Sequence, residues 1–448
     1  MKNRLLLSAT IAAGMLASVP AMAADYVAGS HDKSLTNVWG SCEHAPLGAN
    51  ARTGVGANGK IYVQVHNTGT VQVYDKDGKA KDIKIADKIW VSITADDAGH
   101  IISRSDVGGW AGPEGAGWYL SENAKLTVID SKTDEIIKDV AMPGGPKCRF
   151  DALPHVQGDL LNGFCAIHAV HNGAGQIFTE FSYQDGEHIN TSNIPVTIHE
   201  AFTGKPAGNQ TLGQVQAFGD GTKLAVYANP FYAETSSLNG LGNGIALYEL
   251  VDDAWEYTGK YFVTPNHSSI GGFMVFEVNG VEYIVYAAGE AEKGVPSGDG
   301  FAIAKVTYTD TPVSNPETDK AALVAVKYAA LDAEDNMLYK PGANLQCFNV
   351  EPVEGEKGSV YIYTYNQGSV MSQWKFTAPE QSGITDVTGD MESVAVRGGK
   401  GEITVEGAAA EVYNAAGMLV AKGAGSIKCA AGLYIVKTGD KAQKVVVK

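Results

Sequence analysis

Positive charge is what this chain has least of. Its 34 Lys and Arg stand against 50 Asp and Glu, a formal net charge of −16. Loss of Lys2 and Arg4 with an N-terminal leader takes this to −18 (−16 − 2), because residues 1–23 hold no acidic side chain. Nucleic acid is captured by clustered Lys and Arg that displace phosphate counterions, and anionic membranes make the same demand, so both are disfavoured as partners. Cysteine is also scarce. Cys42, Cys148, Cys165, Cys347 and Cys429 are too few for a disulfide scaffold, and an odd number leaves at least one thiol over. Either all five are reduced, buried apolar groups, or some pair. In the second case proximity favours Cys148 with Cys165, and Cys429 is the orphan. After residue 19 no apolar run approaches membrane-spanning length, so a mature chain without a transmembrane segment, soluble and monomeric, is expected. Catalytic signatures are missing too: no Gly-x-Ser-x-Gly elbow, no His-Glu-x-x-His, and no phosphate-cradling loop ending in Lys-Ser or Lys-Thr.

The first residues read as an export signal. Lys2 and Arg4 precede an apolar run over 5–19, and Ala21-Met22-Ala23 is a small-x-small cleavage site, which starts the mature chain at Ala24. Passage through the inner membrane into the periplasm, then to the outer surface or the exterior, is the expected route.

Between leader and tail the pattern is strand and turn. Ile61-Tyr62-Val63-Gln64-Val65 and Val71-Gln72-Val73-Tyr74 are followed by the hairpin turn Asp75-Lys76-Asp77-Gly78. Comparable pairs of runs recur at intervals of roughly 50 to 70 residues, the spacing of β-propeller blades. Their second members lie near residues 71, 126, 176, 245, 301 and 371. Six blades over residues 24–378 are favoured, seven are the alternative, and two consecutive β-sandwiches would show the same alternation. Leu35-Thr36-Asn37-Val38-Trp39 is placed to pair with the last blade and close the ring. Helical composition occurs only over 318–326 and 328–339. Residues 309–320, with Pro312 and Pro316, read as an exposed loop and 379–382 as a linker.

Residues 383–448 form a separate all-β module. Its short apolar runs are divided by Gly398-Gly399, Ala416-Gly417 and Gly439-Asp440. Three phrases stand out: Val412-Tyr413-Asn414-Ala415-Ala416-Gly417, Gly432-Leu433-Tyr434-Ile435-Val436-Lys437, and the closing Lys444-Val445-Val446-Val447-Lys448. In these the module resembles the C-terminal sorting domain of proteins exported by the type IX (Por) secretion system. The resemblance covers the module alone. It implies a small immunoglobulin-like β-sandwich that engages the secretion and sorting machinery, with Gly432, Tyr434 and Lys448 in the matching phrases. The whole chain is therefore expected to be all-β, a propeller followed by that sandwich.

Sites are harder to read. Cys165-x-x-His168-x-x-His171, with Cys148, Asp151 and His155 upstream, is the densest group of potential metal ligands. Residues three apart on a strand point to opposite faces, so the histidines meet only if the strand ends between them. Hydrogen-bonded histidines are the better reading, and neither a metal nor another cofactor is expected. The Asp75–Gly78 turn lacks the further ligands of a calcium loop. Trp110, Trp118 and Tyr119 sit in a Gly-rich insertion, and Phe231 with Tyr232 opens another at the same place in its unit. Flat aromatics on loops suit stacking on sugar rings or gripping peptide. A non-enzymatic surface or secreted module that binds a glycan or peptide is the favoured function. The alternatives are a hydrolase or lyase acting on polysaccharide at the channel mouth, with Asp96, Asp97, Asp106 and Glu114 as loose candidates, and a scaffold without a small ligand.

Overall fold

Residues such as Ile61, Tyr62 and Val63 are β-branched or aromatic and fit a pleated surface. In the computed structural model of the chain they and their counterparts are strands. The structure describes residues 34–41, 54–65, 68–86, 93–106, 124–142, 149–150, 155–172, 177–195, 214–227, 244–265, 272–288, 300–310, 323–328, 346–366, 370–379, 396–414, 418–438 and 441–447. Residues 1–378 and 379–448 are separate compact units. The leader over 1–23 and most of the linker lie outside the described residues.

Strand β1 (Leu35–Ser41) stands apart from its sequence neighbours. Blade 1 is β2 (Gly54–Ala57), β3 (Lys60–Val65), β4 (Thr70–Asp75) and β5 (Gly78–Lys84). Blade 2 is β6 (Ile93–Ala95), β7 (His100–Asp106), β8 (Ala124–Asp130) and β9 (Glu135–Ala141). Blade 3 is β10 (Arg149–Phe150), β11 (Phe164–Asn172), β12 (Ile177–Gln184) and β13 (Glu187–Pro195). Blade 4 is β14 (Gln214–Phe218), β15 (Lys223–Tyr227), β16 (Ile245–Val251) and β17 (Ala254–Phe262). Blade 5 contains β18 (Phe273–Val278), β19 (Val281–Ala288) and β20 (Gly300–Lys305). The chain then adds β21 (Tyr308–Thr309) to the edge of blade 4 before returning as β22 (Leu323–Tyr328). Blade 6 is β23 (Gln346–Pro352), β24 (Ser359–Asn366) and β25 (Val370–Thr377), and its outer strand is β1, paired antiparallel from Leu35↔Phe376 to Ser41↔Met371. The ring closes as the sequence implied, with six blades rather than seven and without separate sandwiches. One expectation is corrected: Leu323–Tyr328 is an edge strand where the composition suggests a helix. The short strand Tyr308–Thr309 ends at the first residue of the expected loop, most of which lies outside the described residues.

Among the described residues, six apolar clusters lie between successive blades. Ile101 faces blade 1 with Val73 and Ile129, while its neighbour Ile102 faces blade 3 with Cys165 and Ile167. Middle strands are therefore apolar on both faces. Between blades 5 and 6, the fully buried Trp374 meets Phe301 edge-on at 5.5 Å and donates its indole N–H to Ser372 Oγ at 2.9 Å. Polar side chains also join the blades. Gln214 and Gln216, two apart on β14, each use both ends of the side-chain amide, on Phe273 and Val275 of β18, at 2.8–3.1 Å. They extend the hydrogen-bond ladder where two inner strands do not pair directly.

The two ends of the ring differ. One carries the tight turns: Asn58-Gly59, Asp185-Gly186, Asp252-Asp253 and Asn279-Gly280 all have left-handed central residues, as type I′ hairpins require. The other receives connections 107–123, 196–213, 228–244, 289–299 and 329–345, as strand alternation dictates. These are the turn end and the loop end.

In the second unit, β26 (Val396–Gly398), β27 (Glu402–Asn414), β28 (Leu419–Lys428), β29 (Gly432–Thr438) and β30 (Lys441–Val447) form one sheet. Its long β27 breaks register between Val405 and Ala410. Before the break it pairs with β26, after it with β29, and β28 follows its other edge. The sheet thereby curls around Ile403, Val412, Ile427, Val436 and Val445, the small C-terminal β domain expected. Gly432 opens β29, and the Tyr434 hydroxyl donates to Ala430 O at 3.0 Å. Lys448 lies outside the described residues.

Candidate functional site

At the turn end the inner strands bring polar groups to the central channel. β6 runs into Asp96 and Asp97, and Val156, on the stretch entering blade 3, donates its N–H to Ala95 O at 2.9 Å. This places His155 between Asp97 and the opposite side of the ring. Its Nε2 lies 2.6 Å from Asp97 Oδ1 and its Nδ1 2.9 Å from Asn349 Oδ1 of β23. Asn349 uses its Nδ2 to donate to Gly56 O at 2.7 Å, which turns its amide oxygen toward the histidine. Both ring nitrogens thus face oxygen atoms, one on each side of the ring. Desolvation raises the Asp97 pKa, but the hydrogen bond and charge of His155 and the Gly158 N–H at 2.7 Å together hold it below the usual carboxylate range. A small cavity of about 220 Å³ adjoins this link, with Glu277 and Glu282 also on its walls.

Asp96 is buried and staples the neighbouring turn. It accepts from His100 N at 2.8 Å, His100 Nδ1 at 2.9 Å and Leu160 N at 3.1 Å. The hydrogen bond to Asp96 is the largest influence on His100 and raises its pKa against a desolvation effect that lowers it. One ligand atom each from Asp96, His100 and Asp159 lie within 4.8 Å of one another. Asp159 already accepts from Leu161 N and Asn162 N, so turn-stapling accounts for the group.

The metal-ligand group read from sequence is taken apart by the fold. β11 continues unbroken through positions 168 and 171, so the strand does not end between them as a shared ion would require. Cys165 faces blade 2 as a free buried thiol, its pKa pushed up to about 12 first by desolvation and then by Asp96, Asp97 and Asp159. A thiol so firmly protonated is a poor ligand and nucleophile. Cys347 and Cys429 are free as well, whereas Cys42, Cys148 and Asp151 lie outside the described residues. His168 faces blade 4. Its Nε2 is 2.9 Å from Glu180 Oε2, which also accepts from Trp255 Nε1 at 3.0 Å. Sequence reasoning missed Asn349, Glu180 and Trp255. Glu180, a charge inside an apolar strand run, was the one readable signal.

The aromatic candidates Trp110, Trp118, Tyr119, Phe231 and Tyr232, and Glu114 with them, lie outside the described residues. Asp106 ends β7 at the loop end, at the other end of the blade from Asp96 and Asp97. The connections that carry the aromatics, 107–123 and 228–244, leave from the same end of the ring.

No family model matches the chain, and no curated protein matches it. Among solved structures it is similar to a subtype N10 neuraminidase-like protein of A/little yellow-shouldered bat/Guatemala, at 10% identity and TM-score 0.41, over 78% of this chain and 99% of that one. It is also similar to a DUF4623 family protein from Bacteroides eggerthii, at 14% identity and TM-score 0.41, over 74% of this chain and 72% of that one. Virginiamycin B lyase from Staphylococcus aureus gives 13% identity and TM-score 0.37, over 76% and 99%. Likenesses this distant leave function to the chain's own residues.

Proposed function

We propose that this is an exported propeller that holds a glycan or peptide ligand at its loop end without catalysing a reaction. The observation that carries the reading is the asymmetry of the ring. Five connections of eleven or more residues (107–123, 196–213, 228–244, 289–299 and 329–345) leave from one end, while five links at the other (58–59, 76–77, 185–186, 252–253 and 279–280) are two-residue turns and 151–163 and 306–322 are the long ones there. Loops on a rigid scaffold are where binding residues concentrate, and Trp110, Trp118, Tyr119, Phe231 and Tyr232 belong to two of these connections. A glycan and peptide array should return a ligand for the full chain. Trp110→Ala, Trp118→Ala and Tyr232→Ala should each weaken it about tenfold or more, since a stacked aromatic contributes roughly 1–2 kcal/mol, and leave the melting temperature unchanged. Unaltered affinity in all three variants would reject the loop end as the site. Turnover of a bound polysaccharide would replace the binding module with a hydrolase or lyase.

Delivery is part of the same proposal. Residues 383–448 fall within a unit compact in itself, and their phrases at 412–417, 432–437 and 444–448 resemble the sorting domain named above. Deleting 383–448 should leave a folded propeller retained in the periplasm of a host with that secretion system. Normal arrival at the surface without the module would refute its sorting role.

A further inference from the structure

A second concavity lies at the opposite end from the long connections. The crevice between blades 3 and 4 has a volume of about 860 Å³ and is bordered by the turns at Gly158, Asp220 and Asp253. Its charge is one-sided. Asp97, Glu180, Asp220 and Asp253 line it, with no Lys or Arg among the described lining residues.

Its inner wall is a built polar site. The Glu180 carboxylate accepts from His168 Nε2, Trp255 Nε1 and, through its other oxygen, Ser182 Oγ at 3.3 Å. The His168 hydrogen bond is the chief reason that its pKa lies below the usual carboxylate range, so it stays charged. His168 is only 3% exposed, yet it lines the crevice, and among the described residues its Nδ1 makes no hydrogen bond. A crevice lined by four carboxylates and, among the described lining residues, no Lys or Arg is matched by an N–H donor carrying positive charge. Beside this polar wall stand Phe164, 62% exposed, and Leu250, 37% exposed. Large apolar side chains open to water at the lip of a cavity suit an apolar neighbour on the ligand.

Size selects among cations. The crevice falls in the range of about 300–1,000 Å³ typical of sites for drug-sized molecules, far more than one ammonium group fills. We infer that the crevice between blades 3 and 4 binds a short basic peptide segment, with a Lys or Arg head among its carboxylates beside His168 and an apolar residue against Phe164 and Leu250. The peptide would be offered by a partner protein and approach from the turn end, leaving the loop end free for its own ligand.

The test is fluorescence anisotropy on the full chain with two labelled hexapeptides, one alternating Arg and Leu, the other Glu and Leu. The Arg-Leu peptide should bind saturably and weaken with salt, and the Glu-Leu peptide should not bind. Asp220→Asn with Asp253→Asn, and separately Phe164→Ala, should each weaken the Arg-Leu peptide about tenfold, or 1.4 kcal/mol. Asn tolerates the left-handed backbone of Asp253 (φ 63°), so the double variant should melt like the parent. Asp77→Asn with Asp82→Asn, on the exposed β4–β5 hairpin of blade 1, should change nothing. The inference is overturned if the Arg-Leu peptide does not bind, if both peptides bind alike, or if the blade 1 variant weakens binding as much as the crevice variants. Full displacement by spermidine at comparable concentration would also overturn it, in favour of a small polyamine. None of these variants touches the loop end, so this test and that of the loop-end ligand fail independently.

Discussion

Gly56→Ala should destabilise the propeller by about 3 kcal/mol or more, the upper range for an overpacked core. Gly54 and Gly56 lie on β2, where blade 1 meets blade 6, and the side chains of Tyr365 and Tyr363 pack directly against them. A Cβ at Gly56 would sit 2.0 Å from Tyr363 Cγ, and one at Gly54 2.4 Å from Tyr365 Cγ. Neither ring can withdraw cheaply. Tyr363 is 1% exposed, and its hydroxyl is held by Glu351 and accepts from Gly59 N at 2.7 Å and Gln373 Nε2 at 3.0 Å. Gln373 in turn accepts from Trp39 Nε1 at 2.9 Å, which carries the strain to the closing strand β1. Chemical denaturation of Gly56→Ala should show an early transition, and Gly56→Ala with Tyr363→Ala should recover part of the loss by making room. A Gly56→Ala protein as stable as the parent would mean that blades 1 and 6 do not meet in this way.

His155→Ala should cost about 2–3 kcal/mol, because it strips a donor from a carboxylate and leaves the buried Asn349 oxygen unpaired. The pH dependence is the sharper signature. Asp97 has a folded-state pKa below its unfolded value. Its contribution is therefore complete above the ordinary Asp value near 3.9 and is lost as pH falls through the lowered folded value. Urea melts across acidic pH should show this limb in the parent and a flatter one in His155→Ala. Parallel curves would show that Asp97 draws its low pKa from the Gly158 N–H alone.

The legibility of the fold followed burial. The recurring pairs of runs in the sequence are the second and third strands of each blade, such as β3 with β4 and β7 with β8, which are apolar on both faces because cores lie on either side. Inner strands escaped notice for the opposite reason. Gly54–Ala57 and Ile93–Ala95 are wholly buried but too short to show a period, and Gln214–Phe218 carries two glutamines where alternation demands apolar residues. Outer strands such as Glu135–Ala141 are mostly exposed, and at Leu323–Tyr328 the flanking Ala and Lys imitate a helix. The turn-end site was half legible. His155, Asp96 and Asp97 drew attention as residue types, but Asn349 joins them from 194 positions away, across a closed ring that no local pattern encodes. His168 was rightly read as a hydrogen-bonded histidine, while its partner Trp255 belongs to the next blade and follows a turn that gave no hint of it.

Hydrogen–deuterium exchange of the full chain, with and without the strongest glycan or peptide ligand from the array, tests most directly whether function sits at the loop end. The account predicts ligand-dependent protection in peptides covering 107–123 and 228–244, with the turns at 96–99 and 353–358 unchanged. Protection confined to those turns, with none in the two long connections, would contradict it.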